Sequence, residues 1–232
     1  MSRPWLCSRG IDSGVRGPAT LHPVSWDPHL RGGESPEPFL LFVEGARDRG
    51  ILEGWSQRLF PSLTRSLSRA SVILGGRQPA RAVERFRRLS SQATGARALC
   101  VLDRDDGSAP SPPDANLPGL EFFTWSRRHI ESYLLVPAAI CRALRLRDAD
   151  VRIDRVLRDH LPAAGDETAY RALDAKRLLG SNGVLPRALG CSIPLGQVAR
   201  ATRAEELHAD VHALFVRLRG ELGNGTPARQ PR

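Results

Sequence analysis

Two short apolar segments, each ending in acidic residues, constrain the fold of this chain more than any other feature of its sequence. Residues 39–43 lead into Glu44-Gly45, and residues 98–102 lead into Asp103-Arg104-Asp105-Asp106. Short runs of this kind are typical of strands that are buried on both faces of a parallel sheet. Parallel strands share one carboxyl edge, and ligands bind outside that edge. The sequence therefore predicts an α/β fold with a carboxylate-rich site.

Two further strands and two helices complete the predicted α/β core. Strands are expected at 71–74 and 120–124, because apolar residues there are bounded by Gly or Pro. A helix beginning near Asp48 and a second helix at 79–89 carry apolar residues at helical spacing. Strands that alternate with helices predict a doubly wound parallel sheet of about four strands.

The chain divides by composition into four predicted regions. Residues 1–38 are rich in Pro and Gly and predict an irregular, partly disordered arm, followed by the α/β core at 39–125. A helical part is predicted at 126–222 and a disordered tail at 223–232. In the helical part, Ser126, Asp148 and Asp166 are expected to cap helices, the first running to 135 and the last to 179. Another helix is expected at 137–146, and a Thr202-x-x-Glu205 capping box is expected to precede an amphipathic helix to 222.

The charge balance favours polyanionic partners. The chain has 34 Lys and Arg against 25 Asp and Glu, a net charge of +9, and Lys176 is its single lysine. A basic chain attracts nucleic acid, but this charge alone does not establish binding. No apolar run approaches the roughly 20 residues of a membrane helix. The start lacks a secretory signal and the four cysteines form no C-x-x-C pair, so a cytoplasmic protein is expected.

The strand-end acids predict a metal site. Glu44, Asp48, Asp103 and Asp105 are expected at one sheet edge, where carboxylates repel one another unless a cation lies among them. Mg²⁺ or Mn²⁺ is the usual cation for such oxygen ligands. The alternative is ordinary turn chemistry, in which Asp-Gly forms a turn and Glu44-Gly45 simply ends a strand.

These segments resemble a known domain family. Leu41-Phe42-Val43-Glu44-Gly45 and Val101-Leu102-Asp103-Arg104-Asp105 look like the two signature segments of the TOPRIM (topoisomerase–primase) domain. Arg127-Arg128-His129-Ile130-Glu131-Ser132-Tyr133-Leu134-Leu135 is similar to a segment of the OLD (overcoming lysogenisation defect) nucleases. Residues 174–179, which include Lys176, resemble their later lysine segment.

The resemblance implies a TOPRIM-like fold and a metal-dependent endonuclease of the anti-phage defence type. It implies that Glu44, Asp48, Asp103 and Asp105 bind metal, and that Glu44, Glu131 and Lys176 act in catalysis. Because the chain contains no G-x-x-x-x-G-K-[ST] motif, a separate P-loop ATPase subunit is the implied partner. The expected substrate is nucleic acid, with DNA favoured over RNA.

Several of these residues have simpler interpretations. Glu131 is alternatively an exposed helix partner of Arg127 or Arg128, and Lys176 a solvated surface residue. His129 is expected to be a packing or surface residue. The outer face of the second helix is a candidate nucleic-acid surface or a solvated face. The candidate nucleic-acid-binding residues are Arg81, Arg85, Arg88, Arg127 and Arg128.

Two other functions compete with the nuclease. A non-catalytic nucleic-acid-binding or regulatory module would keep the fold and the basic residues, and a primase-like enzyme would transfer nucleotides. Retention of Glu44, Asp103 and Asp105 disfavours the pure binder, because carboxylates repel phosphate.

Overall fold

Four parallel strands form one sheet in the computed structural model, which describes residues 38–105, 117–147 and 149–223. The sheet order is β2-β1-β3-β4, and each neighbouring pair is parallel. Every predicted strand is present with its bounds within one residue of the prediction, and the α/β fold class is confirmed. The strands are β1 (Phe39–Val43), β2 (Ser71–Ile73), β3 (Arg97–Leu102) and β4 (Leu120–Thr124).

The chain reverses direction across the sheet between β1 and β3. It passes from β1 to β2 through α1 (Ala46–Leu59) and α2 (Thr64–Ala70), then crosses back to β3 through α3 (Pro79–Ser90). Right-handed crossovers in opposite directions place their helices on opposite faces of a sheet. Two separate cores agree with this, since Leu41 and Val43 pack with α1 while Phe42 packs with α3. The strands on either side of the reversal are the two that end in Glu44 and Asp103.

The described residues after β4 are mainly helical and extend the core on the α1 face of the sheet. Their buried side chains belong to the same core as Ile51 and Trp55 of α1. No helix among the described residues is long and apolar enough to cross a bilayer. These helices are α4 (Pro137–Leu144), α5 (Val151–His160), α6 (Glu167–Ala172), α7 (Ala175–Leu179), α8 (Val184–Leu189), α9 (Leu195–Ala201) and α10 (Ala209–Gly223).

A close helix crossing holds this half against the sheet. A Cβ built on Gly54 of α1 would lie 2.3 Å from the carbonyl oxygen of Gly196 in α9. Only glycine permits this approach, so the backbones of α1 and α9 are in direct contact. The α1 helix, which follows the first strand-end acid, is thereby fixed in place by the C-terminal half.

Three helix predictions were wrong in a physically informative way. The predicted helix at 126–135 is a short 3-10 helix at Ile130–Leu134, and Ser126 caps no helix. The predicted helix at 166–179 is broken into α6 and α7, because the Asp174 side chain accepts the Arg177 amide and begins a new helix. The Thr202 hydroxyl is buried and donates to the Val198 carbonyl, so it does not form the expected capping box.

The remaining differences are in helix ends and in elements that were not predicted. Helix α4 ends at Leu144, α5 is capped by Asp150, and α10 begins at Ala209. Helices α2, α8 and α9 were not predicted. The expected arm before Pro38, the Asp148 cap, Asp106 and the tail beyond Gly223 lie outside the described residues.

Candidate functional site

The strand-end acids Glu44 and Asp103 meet across β1 and β3. The amide of Asp103 donates to Glu44 Oε1 at 2.8 Å. The loop after β2 closes over the same edge, where the amides of Gly75 and Gly76 donate to the Glu44 carbonyl at 3.0 and 2.8 Å. Both glycines have positive φ, 84° and 115°, which this turn requires. Backbone hydrogen bonds therefore hold the predicted edge together.

Asp103 is the centre of the site and is only 4% exposed. Its Oδ1 accepts the Ile130 amide at 2.8 Å, and its Oδ2 accepts from Lys176 Nζ at 2.7 Å. The guanidinium of Arg77 donates to its carbonyl oxygen. One carboxylate therefore links three parts of the chain that are far apart in sequence. They are strand β3, helix α7 and the segment that follows β4.

Asp105 reaches the site through a turn. Strand β3 ends at Leu102, and Asp105 has φ of 50°, a left-handed conformation that Asp tolerates better than most residues. Its amide donates to the Arg128 carbonyl at 3.1 Å. Its Oδ1 lies 3.8 Å from Nε2 of His129, and its Oδ2 lies 3.6 Å from the Arg77 guanidinium. The turn, and not strand alternation, aims Asp105 toward His129.

Glu131 is one of the most buried acids of the described chain, at 1% exposed. Its Oε1 lies 3.5 Å from the Arg47 guanidinium. Within the described residues, its Oε2 is buried and has no hydrogen-bond partner. The interpretation of Glu131 as an exposed helix partner of a neighbouring arginine is therefore wrong.

Burial and mutual repulsion raise the pKa values of two of these acids. Burial raises the pKa of Glu44 to about 7, with further increases from the charges of Asp103, Asp48 and Asp105, although the Asp103 amide opposes the shift. Burial and the charge of Asp103 raise the pKa of Asp48 to about 6, against the hydrogen bond from the Gly45 amide. We call Glu44, Asp48, Asp103, Asp105 and Glu131 the acidic cluster.

The two nitrogen groups of the site carry different charges. Burial opposes a charged Lys176, but its hydrogen bond to Asp103 and the nearby carboxylates raise its pKa overall, so it remains an ammonium. Burial and the charge of Lys176 lower the pKa of His129. His129 is 5% exposed, and its lowered pKa favours the neutral form, in which imidazole binds metals.

The donor set fits a divalent cation. One ligand atom from each of Asp103, Asp105 and His129 lies within 4.8 Å of the others. Ligands on opposite sides of an ion at about 2.1 Å stand about 4.2 Å apart, so these three atoms are spaced on the scale of one coordination shell. The Asp103 oxygens already accept hydrogen bonds, but each has a second lone pair. Glu44 and Asp48 lie beside this set, and the unpartnered oxygen of Glu131 is a further acceptor.

The arginines expected to bind nucleic acid are mostly engaged within the protein. On α3, the Arg81 guanidinium donates to the Leu74 carbonyl and Arg85 donates to the Ile73 carbonyl at 3.2 Å. Arg88 pairs with Glu84 at 2.5 Å. In the segment after β4, the Arg127 side chain pairs with Glu167 at 2.9 Å, and the main-chain carbonyl of Arg128 accepts the Asp105 amide.

Comparison with known proteins gives one structural similarity. No protein-family model matches the chain, and no curated protein matches it. Among solved structures, it is similar to the C-terminal region of the OLD protein of Xanthomonas campestris pv. campestris. The TM-score is 0.40 at 15% identity, over 81% of this chain and 97% of the other.

Sequence reasoning missed two residues of the site, His129 and Arg77. His129 was expected to pack or face solvent, because no second histidine lies one helical turn away. Its partners Asp103 and Asp105 come from another element, so local spacing carries no sign of them. Arg77 follows the Gly75-Gly76 pair at the end of β2. The rule that predicted the acidic edge would have placed it there as well.

Proposed function

We propose that this protein is a metal-dependent nuclease that hydrolyses phosphodiester bonds. The observation that carries the proposal is the convergence of Asp103, Asp105 and His129 at the carboxyl edge of the sheet, with the Lys176 ammonium on Asp103. The strand order reverses between β1 and β3, and doubly wound folds bind ligands at the carboxyl ends of the strands at such a reversal. An acidic edge repels phosphate on its own, and a cation held there would reverse that repulsion.

Each residue has a distinct proposed role. Asp103, Asp105 and His129 would hold the cation, with Asp48 and Glu131 as further acidic groups beside it. When bound, the cation supplies a Lewis acid that polarises the phosphate and favours ionisation of a water.

Glu44 is the proposed general base, and Lys176 is the proposed group that stabilises charge on the phosphate. The Glu44 carboxylate, which accepts the Asp103 amide beside the proposed cation site, would accept the proton of the attacking water as the general base. The Lys176 ammonium stabilises negative charge that develops on the phosphate oxygens. Loss of this ammonium lowers turnover more than binding, because the charge on those oxygens is greatest in the transition state.

Mn²⁺ is the cation that we favour over Mg²⁺. Mg²⁺ prefers oxygen ligands and demands near-ideal octahedral geometry. The neutral imidazole of His129 adds a nitrogen donor, which suits a later first-row ion better than Mg²⁺. The proposed metal requirement is therefore stronger activity with Mn²⁺ than with Mg²⁺.

The nature of the substrate and of the partner rests on the sequence resemblance alone. By that resemblance we propose DNA as the preferred substrate, a role as the effector of an anti-phage system and a separate P-loop ATPase subunit.

Cleavage by the Asp103→Asn variant tests the proposal. Supercoiled plasmid and structured RNA are incubated with Mn²⁺ or Mg²⁺, with and without nucleoside triphosphates. We expect wild-type protein to nick or cut. We expect Asp103→Asn to lose about 10³-fold of that activity, because it weakens the site for the cation that would stabilise charge on the phosphate.

Asp159→Asn is the matched control, because this acid is itself exposed on α5 and its one ion pair among the described residues is with Arg155 at 4.0 Å. Cleavage that survives in Asp103→Asn contradicts the site. Binding without cleavage by any form supports the binding module instead. Product that grows only with triphosphates supports nucleotidyl transfer.

A further inference from the structure

A basic cleft adjoins the acidic cluster between α7 and α8. It has a volume of about 360 Å³ and is lined by Lys176, Arg177 and Arg187, together with the polar side chains of Ser181 and Asn182. No carboxylate of the described residues lines it. A cleft of this size accepts a small ligand group, and its charge selects an anion.

Two glycines set the shape of the connection that forms this cleft. A Cβ built on Gly180 would lie 2.5 Å from the Lys176 carbonyl oxygen, and one on Gly183 would lie 2.5 Å from the Leu178 carbonyl oxygen. The chain between α7 and α8 therefore folds tightly back on α7. This tight turn brings Arg177 of α7 and Arg187 of α8 to the same cleft.

The arginines of this cleft differ from those of α3. Arg81 and Arg85 are bonded to carbonyls at the end of β2, whereas Arg177 is exposed and its guanidinium has no described hydrogen bond or ion pair. Arg187 makes one bond, from Nε to the Gly183 carbonyl at 3.3 Å, which leaves its terminal nitrogens available. Guanidinium groups in this state are suited to phosphate, which they contact through paired N–H groups.

Lys176 belongs to both features. Its side chain lines the cleft, and its ammonium lies 2.7 Å from Asp103 Oδ2 in the acidic cluster. An anion in the cleft therefore lies next to the proposed cation site. A nucleic-acid strand carries a phosphate on every nucleotide, so it can supply groups to both positions at once.

We propose that this cleft binds a phosphodiester of a single nucleic-acid strand, adjacent to the phosphodiester at the acidic cluster. The inference rests on the proposed function for the occupant of the acidic cluster, but the cleft and its charge are independent of any cleavage. Arg177 and Arg187 contact the phosphate, and the turn between the helices positions them.

Oligonucleotide binding by an Arg177→Gln/Arg187→Gln variant tests the proposal. Fluorescence anisotropy with a labelled single-stranded DNA is measured over a range of salt concentrations in EDTA, where no cleavage occurs and repulsion from the acidic cluster weakens binding equally in all the proteins compared. For single strands the logarithm of affinity falls with the logarithm of salt by about 0.7 per phosphate contact. Loss of two contacts should flatten the slope by about 1.4. The ratio of wild-type to variant affinity should therefore be about 25-fold larger at 0.1 M salt than at 1 M salt.

Arg65→Gln/Arg69→Gln is the matched control. These two arginines are exposed on α2 and line a different cleft, which also contains Glu53. The control removes the same charge but none of the proposed phosphate contacts. We therefore expect its slope to equal that of the wild type. Equal flattening in both variants reflects net charge alone and overturns the proposal. Circular dichroism and thermal melting verify that both are folded.

Two further outcomes separate this proposal from the nuclease proposal. If Arg177→Gln/Arg187→Gln alone loses binding while wild-type protein fails to cut with Mn²⁺, the cleft stands and the nuclease proposal fails. If the variant binds like the control while wild-type protein cuts, the cleft proposal fails alone. Equal thermal stabilisation by inorganic phosphate and by the oligonucleotide, at the same total phosphate concentration, would overturn strand recognition.

Discussion

Two polar clusters lie at the carboxyl edge of the sheet, and they differ in whether each acid has hydrogen-bond donors that balance its charge. The acidic cluster follows β1 and β3. The second, which we call the tyrosine cluster, follows β4 and comprises Ser126, Arg127, Tyr133, Glu167 and Asp210.

In the tyrosine cluster, each acid is matched by donors. Asp210 Oδ2 accepts from the Tyr133 hydroxyl at 2.5 Å and from the amide and hydroxyl of Ser126. Arg127 binds both oxygens of Glu167 at 3.0 and 2.9 Å. It also lies over the rings of Tyr133 and Tyr170.

Among the carboxyl groups with shifted pKa values, the shifts run in opposite directions in the two clusters. The hydrogen bond from Arg127 lowers the pKa of Glu167. Burial alone would raise the pKa of Asp210, but the hydrogen bonds from Ser126 and Tyr133 lower it overall. In the acidic cluster the pKa values of Glu44 and Asp48 are raised. Acids with matched donors stabilise the fold, whereas acids in excess of their donors leave a place for an added cation.

The largest expected effect is the response to metal. At a metal concentration of 100 times Kd, binding adds about 2.7 kcal/mol to the free energy of unfolding, or about 5–10 °C in Tm for a chain of this length. Asp103→Ala/Asp105→Ala should lose this shift, and thermal melting with Mn²⁺ or EDTA measures it. A shift of the same size in the double variant would move the cation site elsewhere.

The next largest effect concerns the tyrosine cluster. Asp210→Ala leaves the Tyr133 and Ser126 donors without their acceptor and should lower the free energy of unfolding by about 2 kcal/mol. Its Mn²⁺ shift in Tm should remain that of the wild type. Denaturant unfolding measures the first quantity and thermal melting the second. A lost metal shift would show that the two clusters are coupled.

A smaller effect is the pH dependence of stability without metal. Glu44 has a folded pKa of about 7 against an ordinary value of 4.5, so the folded state holds its proton where the unfolded state has released it. The stabilisation is complete below pH 4.5 and is lost as pH rises to about 7.

Denaturant unfolding in EDTA across this window should show wild-type protein losing about 1–2 kcal/mol relative to Glu44→Gln. This magnitude is reduced because Glu44 is only partly buried and solvent screens it. If the free energies of unfolding of the two proteins change with pH in parallel, ionisation of Glu44 does not destabilise the fold, and the prediction is contradicted.

The smallest effect is expected on α3. Arg81→Ala/Arg85→Ala removes hydrogen bonds to the carbonyls at the end of β2 and should cost about 1 kcal/mol in total. Because these guanidinium groups are engaged, the salt dependence of DNA binding should change little. If both track phosphates of duplex DNA, the slope flattens by about 1.8 instead. A salt titration by fluorescence anisotropy separates the two outcomes.

The sequence by itself determined the sheet and the position of Glu44 and Asp103. Apolar runs at 39–43 and 98–102 have few alternatives to buried parallel strands, and the shared carboxyl edge follows from strand geometry alone. The strands and their acidic ends depend on residues that are close in sequence, so pattern reasoning recovers them. The pairing of β1 with β3, which brings Glu44 to the Asp103 amide, is a long-range contact that the sequence left open.

Only the tertiary structure decided how the second half of the chain completes the site. The helices after β4 pack against α1 through the contact between Gly54 and Gly196. This packing decides whether Glu131 is buried and whether His129 and Lys176 reach Asp103. The local sequence of 126–135 is compatible with a helix, but the hydrogen bond from the Ile130 amide to Asp103 favours a 3-10 segment at the sheet edge. Long-range burial and hydrogen bonding outweigh helix propensity there, because a preference of a few tenths of a kcal/mol per residue is smaller than one buried charge-assisted hydrogen bond.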